Sequence, residues 1–178
     1  MIVNDTDALI VVNVQNDLCQ GGARPVPGAE NIVRLLNQLI IKFDTVIYTR
    51  LWHTADDLIF DENHYCVEHS PGAEFHGNLR VPLDAKVVDW IEEPEDGTHP
   101  FQNEAVQALL HKRKIQRIFV AGLPLDSHVK LAAMGASTQY LTLLIVDACR
   151  GYAQDGNQAA MEAMKAAGVA IVSSGVVQ

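Results

Sequence analysis

At 178 residues, with 48% hydrophobic and 20% charged side chains, the chain has the size and composition of one globular domain, long enough to bury about 70% of the surface its unfolded form exposes. Thirteen Lys plus Arg against twenty-two Asp plus Glu leave a formal charge of -9, which repels phosphate backbones and anionic headgroups and argues against nucleic acid or a membrane as partner. No apolar run reaches the roughly 18 residues of a membrane span, and the start MIVNDTDALIVV lacks the basic flank of a signal peptide, so a cytoplasmic protein is expected. Cys19, Cys66 and Cys149 are widely spaced with no CxxC pair, and read as reduced thiols.

Short apolar runs rich in β-branched residues fall at Ala8 to Val14, Thr45 to Tyr48, Ile118 to Ala121, Leu141 to Val146 and Val169 to Val172, with a weaker one near Lys86 to Ile91. Such runs suit strands buried on both faces. Between them, Ile32, Leu35, Leu36, Leu39 and Ile40 hold the stripe of an amphipathic helix, and Val106, Leu109 and Leu110 begin a second. A third helix is expected from about Asp126, with Asp126 as N-cap and small residues (Val129, Ala132, Ala133, Ala136) against the sheet. A fourth, Asn157 to Ala167, is expected to open on Asn157 and stop at Gly168.

Strand and helix alternating in this way predict right-handed βαβ crossovers and a doubly wound parallel sheet in a single α/β domain spanning residues 1–178. The stretch 51–84 is too long, polar and rich in His, Pro and Gly for a plain connection, and reads as a functional loop. In an open parallel sheet, ligands bind beyond the carboxyl ends of the strands. That rule selects Asn13 to Gly22, Arg50 to Asp57, the stretch after Trp90, and Gly122 to His128. The last of these runs from a strand into a helix N-terminus, where free N–H groups would serve a developing oxyanion.

Four segments, ALIVVNVQNDLCQGG, YTRLWH, YCVEHSPGAEFH and AGLPLDSHV, together resemble the nicotinamidase and isochorismatase-like cysteine hydrolase family, in order along nearly the whole chain. The resemblance implies a three-layer, Rossmann-like fold whose six-stranded parallel sheet has the order 3-2-1-4-5-6. It also implies an Asp–Lys–Cys triad in which the Asp serves as base to a Cys that attacks an amide carbonyl. Here the Asp position holds Asn13 and the Cys position His128, and the Lys position falls on Trp90, or on Asp96 if Gly97 is matched instead. Lys86, roughly 13 Å further back along an extended strand, is a poor substitute. The family's metal ligands, an Asp-x-His pair and a distant His, fall on Leu51, His53 and Tyr65, so no metal and no other cofactor are expected. The family bends the turn before its nucleophile through a cis peptide, and Leu123-Pro124 occupies that bond.

Gln15 and Asp17 read as retained architecture of the pocket floor. With His53, Tyr65, Leu123, Pro124 and Ser127 they make up the expected pocket. A relocated metal site built from His53, His64, His69 and His76 with Asp56, Asp57 and Asp61 fits no defined ligand spacing. Cys19 reads as a bystander near the pocket, and Gly21-Gly22 as a turn. The leading expectation is a family member without the cysteine amidohydrolase reaction that keeps a ligand-binding, regulatory or structural role, with a small molecule as ligand and self-association as in other members. The rival is an active hydrolase on a small amide, ester or vinyl ether that uses His128.

Overall fold

The computed structural model describes residues 1–54, 64–90 and 99–178. Six parallel strands, β1 (Asp7–Val12), β2 (Thr45–Leu51), β3 (Lys86–Trp90), β4 (Arg117–Gly122), β5 (Leu141–Cys149) and β6 (Ala170–Val172), form one sheet in the order β3-β2-β1-β4-β5-β6. This is the expected three-layer α/β architecture. β1 is central, and every residue in it is buried, which is why its sequence runs apolar without alternation. The single carboxylate on β1, Asp7, is 1% exposed. It accepts both Nε and an Nη of Arg117 on the neighbouring strand, at 2.7 and 2.6 Å.

Helix α1 (Glu30–Ile40) buries Ile32, Leu36, Leu39 and Ile40 of the predicted stripe and also Val33, while Leu35 is half-buried. Helix α2 (Glu104–Lys112) is capped by Asn103, whose side chain accepts from the Ala105 and Val106 amides. Helix α3 (Lys130–Ser137) lays Ala132, Ala133 and Ala136 on the sheet, each fully buried. Helix α4 (Gln154–Ala166) ends before Gly168, which takes φ +88°, as a glycine at C′ allows.

Two helix starts differ from expectation. Asp126 caps nothing, because the chain enters α3 through a π-helical turn, Leu125–Val129, and the Asp126 carboxylate instead accepts the Tyr152 amide at 3.0 Å. Helix α4 begins at Gln154, so Asn157 lies inside its first turn and donates its own amide to Ala153. Polar side chains that suit a cap also suit a tertiary tie, and local sequence does not separate the two. A third difference concerns the turn after β4: no peptide bond among the described residues is cis, Leu123-Pro124 included. Backbone bonds from Leu123 N to Val12 O and from Leu125 N to Arg150 O hold this turn instead.

The register of β1 against β4 pairs Val12 with Gly122, so the loops that open at Asn13 and Leu123 leave the sheet side by side. Gly122 has φ +129°, and a Cβ there would overlap the Val12 backbone. Only glycine lets the strands approach this closely. Among the described residues, no helix is long and apolar enough to cross a membrane.

Candidate functional site

The carboxyl ends of β1, β2, β3 and β4 converge as the strand rule requires. Asn13 follows β1 with φ +48° and is fully buried. Its amide donates to Thr49 O at 3.1 Å, while its side-chain carbonyl accepts the Thr49 hydroxyl at 2.6 Å. The Nδ2 group is buried without a partner. A primary amide held in this way can donate or accept a hydrogen bond, but cannot take up a proton at neutral pH.

His128 lies in the π-helical turn, 4% exposed, with its Nδ1 3.3 Å from Ser127 Oγ. The indole of Trp90, the last residue of β3, stands edge-on to this imidazole, with ring centroids 5.0 Å apart and planes at 90°. Trp90 is 5% exposed. Trp90, one of the two positions that the resemblance offers for the cation, and His128 therefore form an aromatic pair of the edge-to-face kind. Lys86 is at the opposite end of β3, paired with Ile47. Asp96 lies outside the described residues.

Gln15 and Asp17 tie the long loop to the sheet. Gln15 Nε2 donates to Leu51 O and Ala73 O, and its Oε1 accepts the Leu51 amide, all at 2.8 Å. Asp17 accepts the Cys66 amide at 2.7 Å and the Ala23 amide at 3.1 Å. Both are structural ties at the floor of the site. Within 51–84, which opens on the last residue of β2, the bridges Gln15 to Phe75 and His53 to Val67 pin the loop across the strand ends.

The positions matching the family's metal ligands do not fit a metal. Leu51 has no donor atom in its side chain and is fully buried. His53 packs edge-on against the Tyr65 ring, centroids 5.2 Å apart. A neutral phenol and a leucine beside one imidazole are not a divalent-cation donor set. Among the described residues, no three His, Cys, Asp or Glu side chains are grouped to hold an ion. His69 packs on Trp52 and His76 accepts the Asn78 amide, while Asp56, Asp57 and Asp61 lie outside the described residues.

All three cysteines are buried. Burial, reinforced by Glu30, pushes the Cys19 thiol up to about 12, and burial pushes Cys149 up to about 12. Cys66 is raised by burial and then by Asp17, against the opposing charge of Arg24. A thiol held protonated in this way is a poor nucleophile.

A cavity of about 320 Å³ opens beside His128, lined by Leu18, Arg24, Tyr65, Asp126, Ser127 and Tyr152 among others. The Arg24 guanidinium carbon stands 4.7 Å from the Tyr65 ring centre and 5.5 Å from that of Tyr152, and the Tyr152 hydroxyl donates to Arg24 O at 3.3 Å. Of the residues expected in the pocket, Tyr65 and Ser127 line this cavity, and so does His128 from the expected triad positions. Gln15, Asp17, His53, Leu123 and Pro124 do not line it, and neither do Asn13 and Trp90. Sequence reasoning missed Arg24 and Tyr152. The strand-end rule would have found Tyr152 had it been applied to β5, since Arg150-Gly151-Tyr152 leaves that strand's carboxyl end.

Residues 7–175 match the isochorismatase domain family. The nicotinamidase of Escherichia coli (strain K12) is 31% identical over 199 aligned positions, covering 92% of this chain and 93% of the relative. The nicotinamidase of Acinetobacter baylyi is 29% identical, covering 94% and 92%. Among solved structures, the pyrazinamidase of Pyrococcus horikoshii in complex with zinc superposes with a TM-score of 0.84 at 30% identity, over 94% of this chain and 99% of that one. With the family domain spanning almost its full length, and with the strand order to match, the chain belongs to the nicotinamidase and isochorismatase-like family.

Proposed function

We propose that this protein has lost the family's cysteine amidohydrolase reaction and works by binding a small molecule in the cavity beside His128. The observation that carries this reading is the edge-on contact of Trp90 with His128, with His128 at the position where the resemblance requires a thiolate and Trp90 at one of the two positions that it offers for the cation. Asn13 cannot act as base, and the buried cysteines cannot act as nucleophile. In a comparable triad, removing the nucleophile alone costs about 10⁶ in rate, roughly 8 kcal/mol of transition-state stabilisation. The cavity of about 320 Å³, within the usual range for small-molecule sites, supports a retained ligand over a purely structural role.

The test is ammonia release from nicotinamide by the purified protein. The expected result is a rate at background. Turnover that scales with protein concentration and survives further purification would overturn the reading.

A second reading keeps catalysis. It is favoured by Ser127 Oγ lying 3.3 Å from His128 Nδ1 at the cavity wall, and by relatives that carry the name nicotinamidase. In it, His128 acts as base in the hydrolysis of a small ester, amide or vinyl ether. A screen of those three substrate types, followed by His128→Ala and Ser127→Ala, separates the readings. Activity abolished by His128→Ala supports the second, and a blank screen supports the first.

A further inference from the structure

An interior glycine costs a helix roughly 1 kcal/mol against alanine, yet Gly135 stands buried within α3. His99 explains it. A Cβ on Gly135 would overlap Cγ, Nδ1 and Cδ2 of the His99 imidazole, so that ring occupies the space any larger residue would need. His99 leads into the short helical turn Pro100–Gln102, and its ring also lies against Phe101, with centroids 6.2 Å apart.

This seat favours the neutral imidazole. Nδ1 is buried with no hydrogen-bond partner. It faces the Gln102 amide across the turn, but that amide donates to His99 O at 3.0 Å. A proton on Nδ1 would set a charged N–H against Gly135 and a backbone N–H, with no acceptor to meet it. Burial accordingly holds the His99 imidazole below its ordinary range. The elements packed on the turn, α2 and α3, carry Lys130, Glu104, His111 and Lys112, and Tyr140 follows α3 with its ring against Phe101. None of these side chains adds to that shift. Glu92, Glu93, Glu95 and Asp96 lie outside the described residues. His99 as a whole is half-buried, so rotation of its side chain is enough to bring the ring into water.

We propose that His99 is a pH-sensitive clasp on α3. Neutral, its ring fills the seat at Gly135 and pins that end of the helix to the turn Pro100–Gln102. Protonated, the ring swings out to water, the seat empties and the end of α3 loosens. The helix continues directly from the π-helical turn that carries Ser127 and His128, so the clasp couples mild acid to how firmly that turn is held. With the native imidazole held below its ordinary range and the unfolded one at about 6.5, the unfolded chain takes up the proton first. Stability therefore falls as the pH drops through about 6.5 and below. The inference does not depend on what the cavity beside His128 binds or on any catalysis there.

The test is a pH titration of the full chain that follows the His99 ring protons and the backbone amides by NMR. His99 is expected to titrate below about 6.5, with the Gly135 amide moving at the same midpoint. Hydrogen-exchange protection of the Ala133 and Ala136 amides should fall between pH 7.5 and pH 5.5. In the Gly135→Ala variant the added methyl takes the seat, and His99 should return to its ordinary range. In His99→Gln, a change at a half-buried position, protection of α3 should no longer respond to pH over that interval. A parent His99 that titrates at or above about 6.5, a Gly135 amide that does not follow it, or α3 protection that falls as steeply in His99→Gln would each overturn the inference.

Discussion

Replacing Gln15 tests whether one side chain organises the floor of the candidate site. Gln15 is fully buried, and its amide makes three hydrogen bonds at 2.8 Å that join the end of β1 to Leu51 on β2 and to Ala73 in the long loop. Each neutral bond contributes about 1 kcal/mol net, and a buried backbone group left without its partner costs about 1–3 kcal/mol. Gln15→Ala removes all three bonds and leaves a void, so a loss of about 3–5 kcal/mol is expected. Gln15→Glu should be worse, because it places a carboxylate against two carbonyl oxygens in a dry environment. The assay is equilibrium unfolding in urea with unchanged m-value, accompanied by thermal melting. For a chain of this length, the alanine variant should melt roughly 10 °C or more lower. A loss below about 1 kcal/mol in Gln15→Ala, or Gln15→Glu proving the milder of the two, would refute the reasoning.

Thiol labelling provides a second check. At pH 8 the native protein should resist iodoacetamide at Cys19, Cys66 and Cys149, and all three should react in guanidinium. A single fast-labelling cysteine would reinstate a displaced nucleophile. The same burial gives a pH dependence whose sign follows from linkage. Unfolded thiols ionise near about 8.5 while the native ones stay protonated, so above that pH the unfolded chain binds fewer protons and stability falls with rising pH. For Cys19 and Cys149 the fall continues up to about 12, and urea midpoints at pH 8 and pH 10 measure it. Arg117→Ala leaves Asp7, which is 1% exposed, with the Asn4 amide but without its cation, and should cost about 3 kcal/mol. Replacing Asp7 and Arg117 together with leucine should recover most of that loss. Gly122→Ala forces a Cβ into the Val12 backbone at φ +129°. It should lower the melting temperature more than Gly168→Ala, whose site is open and carries only the positive-φ cost.

Much of the architecture was legible because its signals are local and periodic. The apolar runs marked all six strands to within a few residues, and the stripe from Ile32 to Ile40 marked α1. The ends were less legible. Asp126 and Asn157 look like caps in sequence, yet Asp126 takes the Tyr152 amide across 26 residues and α4 starts three residues before Asn157. Of the site, Asn13 and His128 could be placed from motif position alone, since each opens or occupies a turn at a strand's carboxyl end. What stands beside His128 could not.

The sequence by itself determined the strand–helix alternation and the family, because these are properties of residue type and order. Tertiary structure alone decided that Trp90 turns its ring onto His128 and that Arg24 stands between Tyr65 and Tyr152. It also decided that Lys86 lines a cavity at the far end of the sheet. Those neighbours are brought together by strand register and loop closure across 38 residues or more, as with Trp90 and His128. Such pairings depend on how the sheet stacks its strand ends, and no local pattern of side chains encodes them.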